Sequence, residues 1–305
     1  MSGDEFPFES RHALVDGVRI HYVEAGVGVP VLFVHGNPTW SYLWRNILPT
    51  IAETHRAIAL DLPGFGRSER PAGARYDFAD HARVIDGFID ALGLERLSLV
   101  LHDWGGALGM QWAVTHPERV VSVTLMSTFV APVGGALRLI LRLPRVPGVG
   151  WLLVQQLNLF VPLVLRVGVA DRSRLTREVM RRYREPFPDA ASRFPIRRWT
   201  EQLPALADDP TYRVMERIGA ALPTFEPPVM IVKATRDPIL TMGRARWLAA
   251  TLPNARLEIV EGAGHYVQED RPEAVAALLR DFLHGGGASG SDLRGQADAR
   301  KTTNS

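Results

Sequence analysis

The stretch LVLHDWGG, Leu99 to Gly106, decides the fold. Its first half is an apolar run of the kind that forms a strand buried on both faces. Its second half opens a helix-like run, Gly105 to His116, which Pro117 stops. A polar residue between a buried strand and a helix start sits on a sharp bend that lifts its side chain above the end of the sheet. Such a bend needs small neighbours, and Gly105 and Gly106 supply them. The residue at the bend is Asp103. Leu101 stands two positions before it, so the strict G-x-S-x-G form of the bend is absent. An Asp at a strand end is also a common helix N-cap, and this motif by itself leaves both readings open.

On the N-terminal side, His12 to Val15 and Arg19 to Glu24 read as short strands around the turn Asp16-Gly17. Val29 to Val34 and Ala57 to Leu60 read as buried strands. Phe78 to Leu92 carries apolar residues at helical spacing and stops at Gly93. On the other side, Val120 to Met126, Pro228 to Lys233 and Arg256 to Val260 continue the strand series. Helices are expected at Gly243 to Thr251 and Pro272 to His284. This alternation predicts an α/β fold with a mostly parallel sheet and helices on both faces. From about Pro132 to Phe225 no strand pattern appears, and several short helices rich in Leu, Arg and Pro are expected instead. The domain reading is a first core part at 1–131, a helical cap at 132–225, a second core part at 226–284 and a disordered polar tail at 285–305.

A chain of 305 residues suits one large core with an insertion. The net charge is only +2, and no basic block interleaves with aromatics, which argues against nucleic acid as a partner. The absence of cysteine excludes disulfides and Cys-ligated metal. The start MSGDEFPFES has neither a basic nor an apolar signal region, so a cytoplasmic location is expected. The apolar stretch Gly150 to Ala170 carries Gln155, Gln156, Asn158 and Pro162, which favours a buried or amphipathic helix pair over a membrane span. Membrane association is therefore not expected. The Arg-rich stretch Arg172 to Arg184 reads as a solvated helix face or as a contact for anionic partners.

Three further motifs stand at strand ends. His35-Gly36-Asn37-Pro38 follows an early strand, and a backbone N–H near Asn37 can hold an oxyanion together with that of Trp104. Alone it reads equally as a tight turn. Gly262 to Tyr266 presents His265 at the sheet's carboxyl edge, where parallel sheets build their sites. Asp237, in Thr235-Arg236-Asp237-Pro238, follows another strand and could be a turn residue or the acid that orients a histidine. The chain order Asp103, Asp237, His265 is the α/β-hydrolase order of nucleophile, acid and base. That joint order points to a catalytic triad with an aspartate nucleophile.

The sequence resembles the haloalkane dehalogenases from about Pro7 to His284. The resemblance is carried by HGNPTWSYLWR at His35 to Arg45, DLPGFGRSERP at Asp61 to Pro71, HDWGG at His102 to Gly106 and AGHYVQED at Ala263 to Asp270. It implies hydrolysis of haloalkanes to alcohol and halide through an alkyl-aspartate ester. It implies Trp104 and Asn37 as halide donors, alongside Asp103, His265 and Asp237. The implied partners are a small apolar substrate, a halide ion and water, with no metal and no organic cofactor. In some dehalogenases the acid follows the strand ending near Met126; here that position is about Ser127, which cannot serve, so the acid falls to Asp237. Trp151 could be a cap halide donor, but its apolar surroundings read as core packing. Epoxide hydrolases share the HDWGG-like bend and resemble one another in two cap tyrosines, for which this cap offers Tyr183, in a surface-looking turn, and Tyr212. The chain also resembles the β-lactone decarboxylases of olefin biosynthesis. The motifs do not separate these activities. The apolar cap leaves open an interaction surface for homo-oligomers or a membrane face.

Overall fold

The computed structural model describes residues 6–132, 145–146, 148–204 and 207–285. Its strands are β1 (Ser10–Val15), β2 (Val18–Ala25), β3 (Pro30–Val34), β4 (Arg56–Leu60), β5 (Leu97–His102), β6 (Val120–Met126), β7 (Val229–Ala234) and β8 (Ala255–Val260). They form one sheet in the order β1-β2-β4-β3-β5-β6-β7-β8. The first two pairings are antiparallel and the rest parallel. Each expected strand is present. The α/β-hydrolase reading of the sheet is therefore observed.

The topology explains where a site must lie. The chain leaves β3 toward β4 on one side and later returns to β5 on the other. The crossovers diverge at this point, and a crevice opens at the carboxyl ends of β3 and β5. The loops leaving those strands are His35 to Trp40 and the bend at Asp103. Every residue of β5 is buried, as its unbroken apolar pattern requires. Helix Phe78–Ala91 covers one face with Val84, Ile85, Phe88 and Ile89, and Gly93 follows it with φ +63°. Helix Pro272–His284 buries Val275, Ala276, Leu279 and Phe282 at helical spacing. The outer strand β8 keeps Arg256 and Glu258 partly exposed at the sheet edge.

Between β6 and β7 the described residues form no strand. They form a π-helical turn, Trp151–Gln156, then helices Phe160–Gly168, Arg177–Arg184, Phe194–Glu201 and Pro210–Ala221. Part of the apolar cap expectation, residues 137–144, and the tail at 286–305 lie outside the described residues. No helix among the described residues is long and apolar enough to cross a membrane.

Two expectations need correction. Trp151 is not core packing: it is 49% exposed, because its π-helical turn sends only Val154 inward. Tyr183 is not in a surface turn but is fully buried in a helix. The Arg-rich stretch behaves as a solvated face, with Arg181 and Arg182 paired to Glu178 and Glu185 along one helix.

The burial of Tyr183 has an ionic cause. Arg45 grips Glu269 with two N–H donors at 2.6 and 2.9 Å, and the Tyr183 hydroxyl donates to the same carboxylate at 2.5 Å. The guanidinium also lies over the Tyr42 ring at 4.0 Å. Both charged side chains are almost wholly buried, at 6% and 2% exposure. A buried pair is strongly destabilising to break, because one charge is left without a partner. Arg45→Met should cost about 3–5 kcal/mol of stability, read as a lower denaturant midpoint.

Candidate active site

Asp103 occupies the bend between β5 and helix Trp104–Thr115, with φ +52° and ψ −123°. This is a conformation that a residue with a Cβ adopts only when its surroundings enforce it. The surroundings are glycines. A Cβ on Gly36 would lie 2.2 Å from Asp103 Oδ1, and one on Gly105 would lie 2.2 Å from the Val34 carbonyl oxygen. The side chain does not cap its own helix. Instead Oδ1 accepts the Asn37 backbone N–H at 2.8 Å. Oδ2 lies 3.7 Å from His265 Nε2, coupled to it by charge but beyond hydrogen-bond reach.

The other sequence-predicted residues converge on this carboxylate. His265 Nδ1 faces Asp237 Oδ1 at 3.3 Å. Asp237 is buried and accepts the backbone N–H groups of Ile239 and Leu240 at 2.8 and 3.3 Å. The Asn37 amide donates from Nδ2 to the Ile196 carbonyl oxygen at 3.3 Å, which leaves its second N–H unassigned. The Trp104 ring packs against Phe129 and Trp199 with centroids 5.0 and 4.9 Å apart.

Charge is arranged around a buried carboxylate. Burial pushes the Asp103 carboxyl above its ordinary value, although the His265 charge and the N–H groups of Trp104 and Asn37 pull the other way. Burial pulls the His265 imidazole down, but the carboxylates of Asp237 and Asp103 outweigh it and hold it above the ordinary histidine value. Burial raises Asp237, but the His265 charge and hydrogen bonds win and keep it below the usual carboxylate range. The result is a buried imidazole flanked by two carboxylates, of which Asp103 has Oδ1 held by the Asn37 N–H and Oδ2 facing the ring.

Several residues that support the site, most of them inside the motifs, carried no role in the sequence reading. Asp270 binds the histidine loop to the cap: it accepts Gly264 N–H at 2.7 Å, Ala170 N–H at 3.0 Å and Asp171 N–H at 2.8 Å. Glu269 likewise reaches the cap through Tyr183, and it anchors to the core through Arg45. The signal available was the adjacent acid pair Glu269-Asp270 inside the motif AGHYVQED. His35 ties the Asn37 loop to the loop after β4: its Nε2 accepts Leu62 N–H at 3.0 Å and its Nδ1 donates to the Gly36 carbonyl at 2.9 Å. Asp61 is fully buried and accepts from Ser41 N–H, Arg67 N–H and His21. Trp199 roofs the site from the cap and donates to His81 Nε2 at 2.7 Å. Burial drives His81 down to about 3, which keeps its ring neutral and able to accept.

No group of His, Cys, Asp and Glu among the described residues could hold a metal ion. The Tyr183 hydroxyl is committed to Glu269, and Tyr212 is half-buried on helix Pro210–Ala221.

Residues 29–272 match the family model described as the alpha/beta hydrolase fold. A haloalkane dehalogenase of Sphingobium indicum is 39% identical over 289 residues, covering 91% of this chain and 96% of its own. A cis-3-alkyl-4-alkyloxetan-2-one decarboxylase of Shewanella oneidensis is 31% identical, covering 91% of this chain and 89% of its own. The crystal structure of a haloalkane dehalogenase from Bradyrhizobium elkani superposes with a TM-score of 0.86 at 33% identity, covering 92% of this chain and 99% of that one. With the sheet, the bend and the order of its side chains already in view, the chain belongs to the α/β-hydrolase fold family and, within it, to the haloalkane dehalogenase group.

Proposed function

We propose that the protein hydrolyses haloalkanes to an alcohol, a halide ion and a proton, with Asp103 as nucleophile, His265 as base and Asp237 as orienting acid. The observation that carries this reading is the carboxylate at the bend, with Oδ1 held by a backbone N–H and Oδ2 beside an imidazole. Oδ2 attacks the halogen-bearing carbon. A C–O bond forms as the C–halogen bond breaks, and the halide leaves with the electron pair. A halide needs N–H donors, and the Trp104 indole and the Asn37 amide fill that role. His265 then takes a proton from water, and the hydroxide attacks the ester carbonyl carbon. The developing charge falls on Oδ1, where the N–H of Asn37 already sits. The intermediate then collapses, the Cγ–Oδ2 bond breaks, and the alcohol leaves with Oδ2 and the proton held by His265. The domain division belongs to the same reading: a core at 1–131 and 226–284 and a cap at 132–225, whose described helix Phe194–Glu201 brings Trp199 against Trp104.

The direct test is halide release from a panel of bromoalkanes. Release is expected, and its absence from every member would overturn the reading. Trp104→Phe keeps an aromatic ring and removes the indole N–H donor; kcat should fall about 10²-fold.

A second reading is favoured by one observation, the decarboxylase relative at 31% identity. Conversion of a β-lactone to an olefin and carbon dioxide, with no halide release from any bromoalkane, would select it. The epoxide reading loses its support, because the Tyr183 hydroxyl is already donated to Glu269.

A further inference from the structure

The outer face of the cap is apolar where solvent meets it. Trp151 is 49% exposed, Leu163 59% and Val167 66%. Helix Phe160–Gly168 buries Val161, Leu165 and Gly168, which follow one another at helical spacing. Leu159, Leu163 and Val167 repeat that spacing on the opposite, solvent-facing side, where a globular protein's surface helix normally carries polar residues. The π-helical turn just before this helix leaves Trp151, Leu152 and Leu153 exposed as well. Exposed apolar side chains gathered on neighbouring elements mark a place of contact.

Charge decides what makes the contact. Between residues 145 and 225, thirteen arginines stand against eight acidic residues, a formal +5, although the whole chain is only +2. The rest of the chain is therefore net acidic. Arg166 is exposed between Leu163 and Val167, and Arg172 and Arg174 are exposed just beyond the helix. A second copy meeting this face about a two-fold axis would bring two basic caps together. A negatively charged lipid surface complements both the apolar centre and the basic rim. The Trp151 indole suits the headgroup level, where such rings settle.

We propose that the outer face of the cap, from Trp151 to Arg174, docks on anionic lipid surfaces. The contact is peripheral, since no described helix can span a bilayer. The polar residues of 150–170 argue against crossing a membrane, not against lying on one, and the sequence left a membrane face of the cap open. The inference goes beyond the hydrolytic reading and does not depend on it.

The test is co-sedimentation of the full chain with vesicles of phosphatidylcholine alone or mixed with phosphatidylglycerol. About tenfold more protein should sediment with the mixed vesicles, and high salt should remove the difference. Leu163→Gln with Val167→Gln, and separately Arg166→Glu with Arg172→Glu and Arg174→Glu, should each reduce binding to the phosphatidylcholine level while leaving the thermal unfolding transition in place. The proposal is overturned if the two vesicle types bind equally, or if both variant sets bind like the parent. It is also overturned if the lipid-free protein forms a concentration-dependent dimer that the Leu163→Gln and Val167→Gln pair abolishes.

Discussion

Asp103→Ala should lose halide release by about 10⁴-fold or more while the protein stays folded. The reasoning is chemical before it is structural. Alanine removes the atom that forms the new C–O bond, and no neighbouring group replaces it. His265 Nε2 is 3.7 Å from the vacated oxygen position, but a neutral imidazole cannot form the ester that the second step needs. Folding should survive for two reasons. The carboxyl sits above its ordinary value because burial penalises its charge, so removing it relieves a cost. The strained bend itself is held by the glycine contacts at Gly36 and Gly105. Steady-state halide release together with thermal unfolding checks both halves. Retained turnover would show that the carboxylate is not the nucleophile.

His265→Gln should separate the two halves of the reaction. The first half needs only the Asp103 carboxylate and the N–H donors, so one halide per active site should appear in a rapid burst. The second half needs a base, and turnover should then stall by about 10²–10⁴-fold. Intact-protein mass spectrometry should find the alkyl group of the substrate added to the chain, on Asp103. A stall with no added mass would sink the covalent scheme. The parent enzyme carries a related signature in its pH profile. Hydrolysis of the ester requires neutral imidazole, so the rate falls with acid through the pKa of His265. In the free enzyme two carboxylates raise that pKa. In the ester one of them has lost its charge, so the acid limb of kcat should lie at lower pH than the titration of His265 in the resting protein, measured by NMR.

Legibility in the sequence followed the range of the forces involved. The strands were readable because burial on both faces demands unbroken apolar runs such as Val31 to Val34 and Leu97 to Leu101. The bend was readable because two consecutive glycines after a buried strand have few other uses. Asp237 and His265 were readable from their order at strand ends, a constraint of topology rather than of either residue. The cap was not readable in the same way. Trp151 and Tyr183 exchanged places against expectation, one turned out to solvent and the other buried, because a π-helical turn and a distant carboxylate decided their fates. Glu269 lies 224 residues from Arg45, and no local pattern announces a pairing across that separation. Trp199 was likewise invisible, since its role depends on His81, which lies 118 residues earlier.

The seam formed by Glu269 and Asp270 bears on traffic in and out of the protein. These neighbours fasten two different cap segments to the very loop that presents the imidazole. A displacement of either cap segment would therefore be felt at the His265 loop, and the spacing between His265 and Asp237 depends on contacts made as far away as Ala170 and Tyr183.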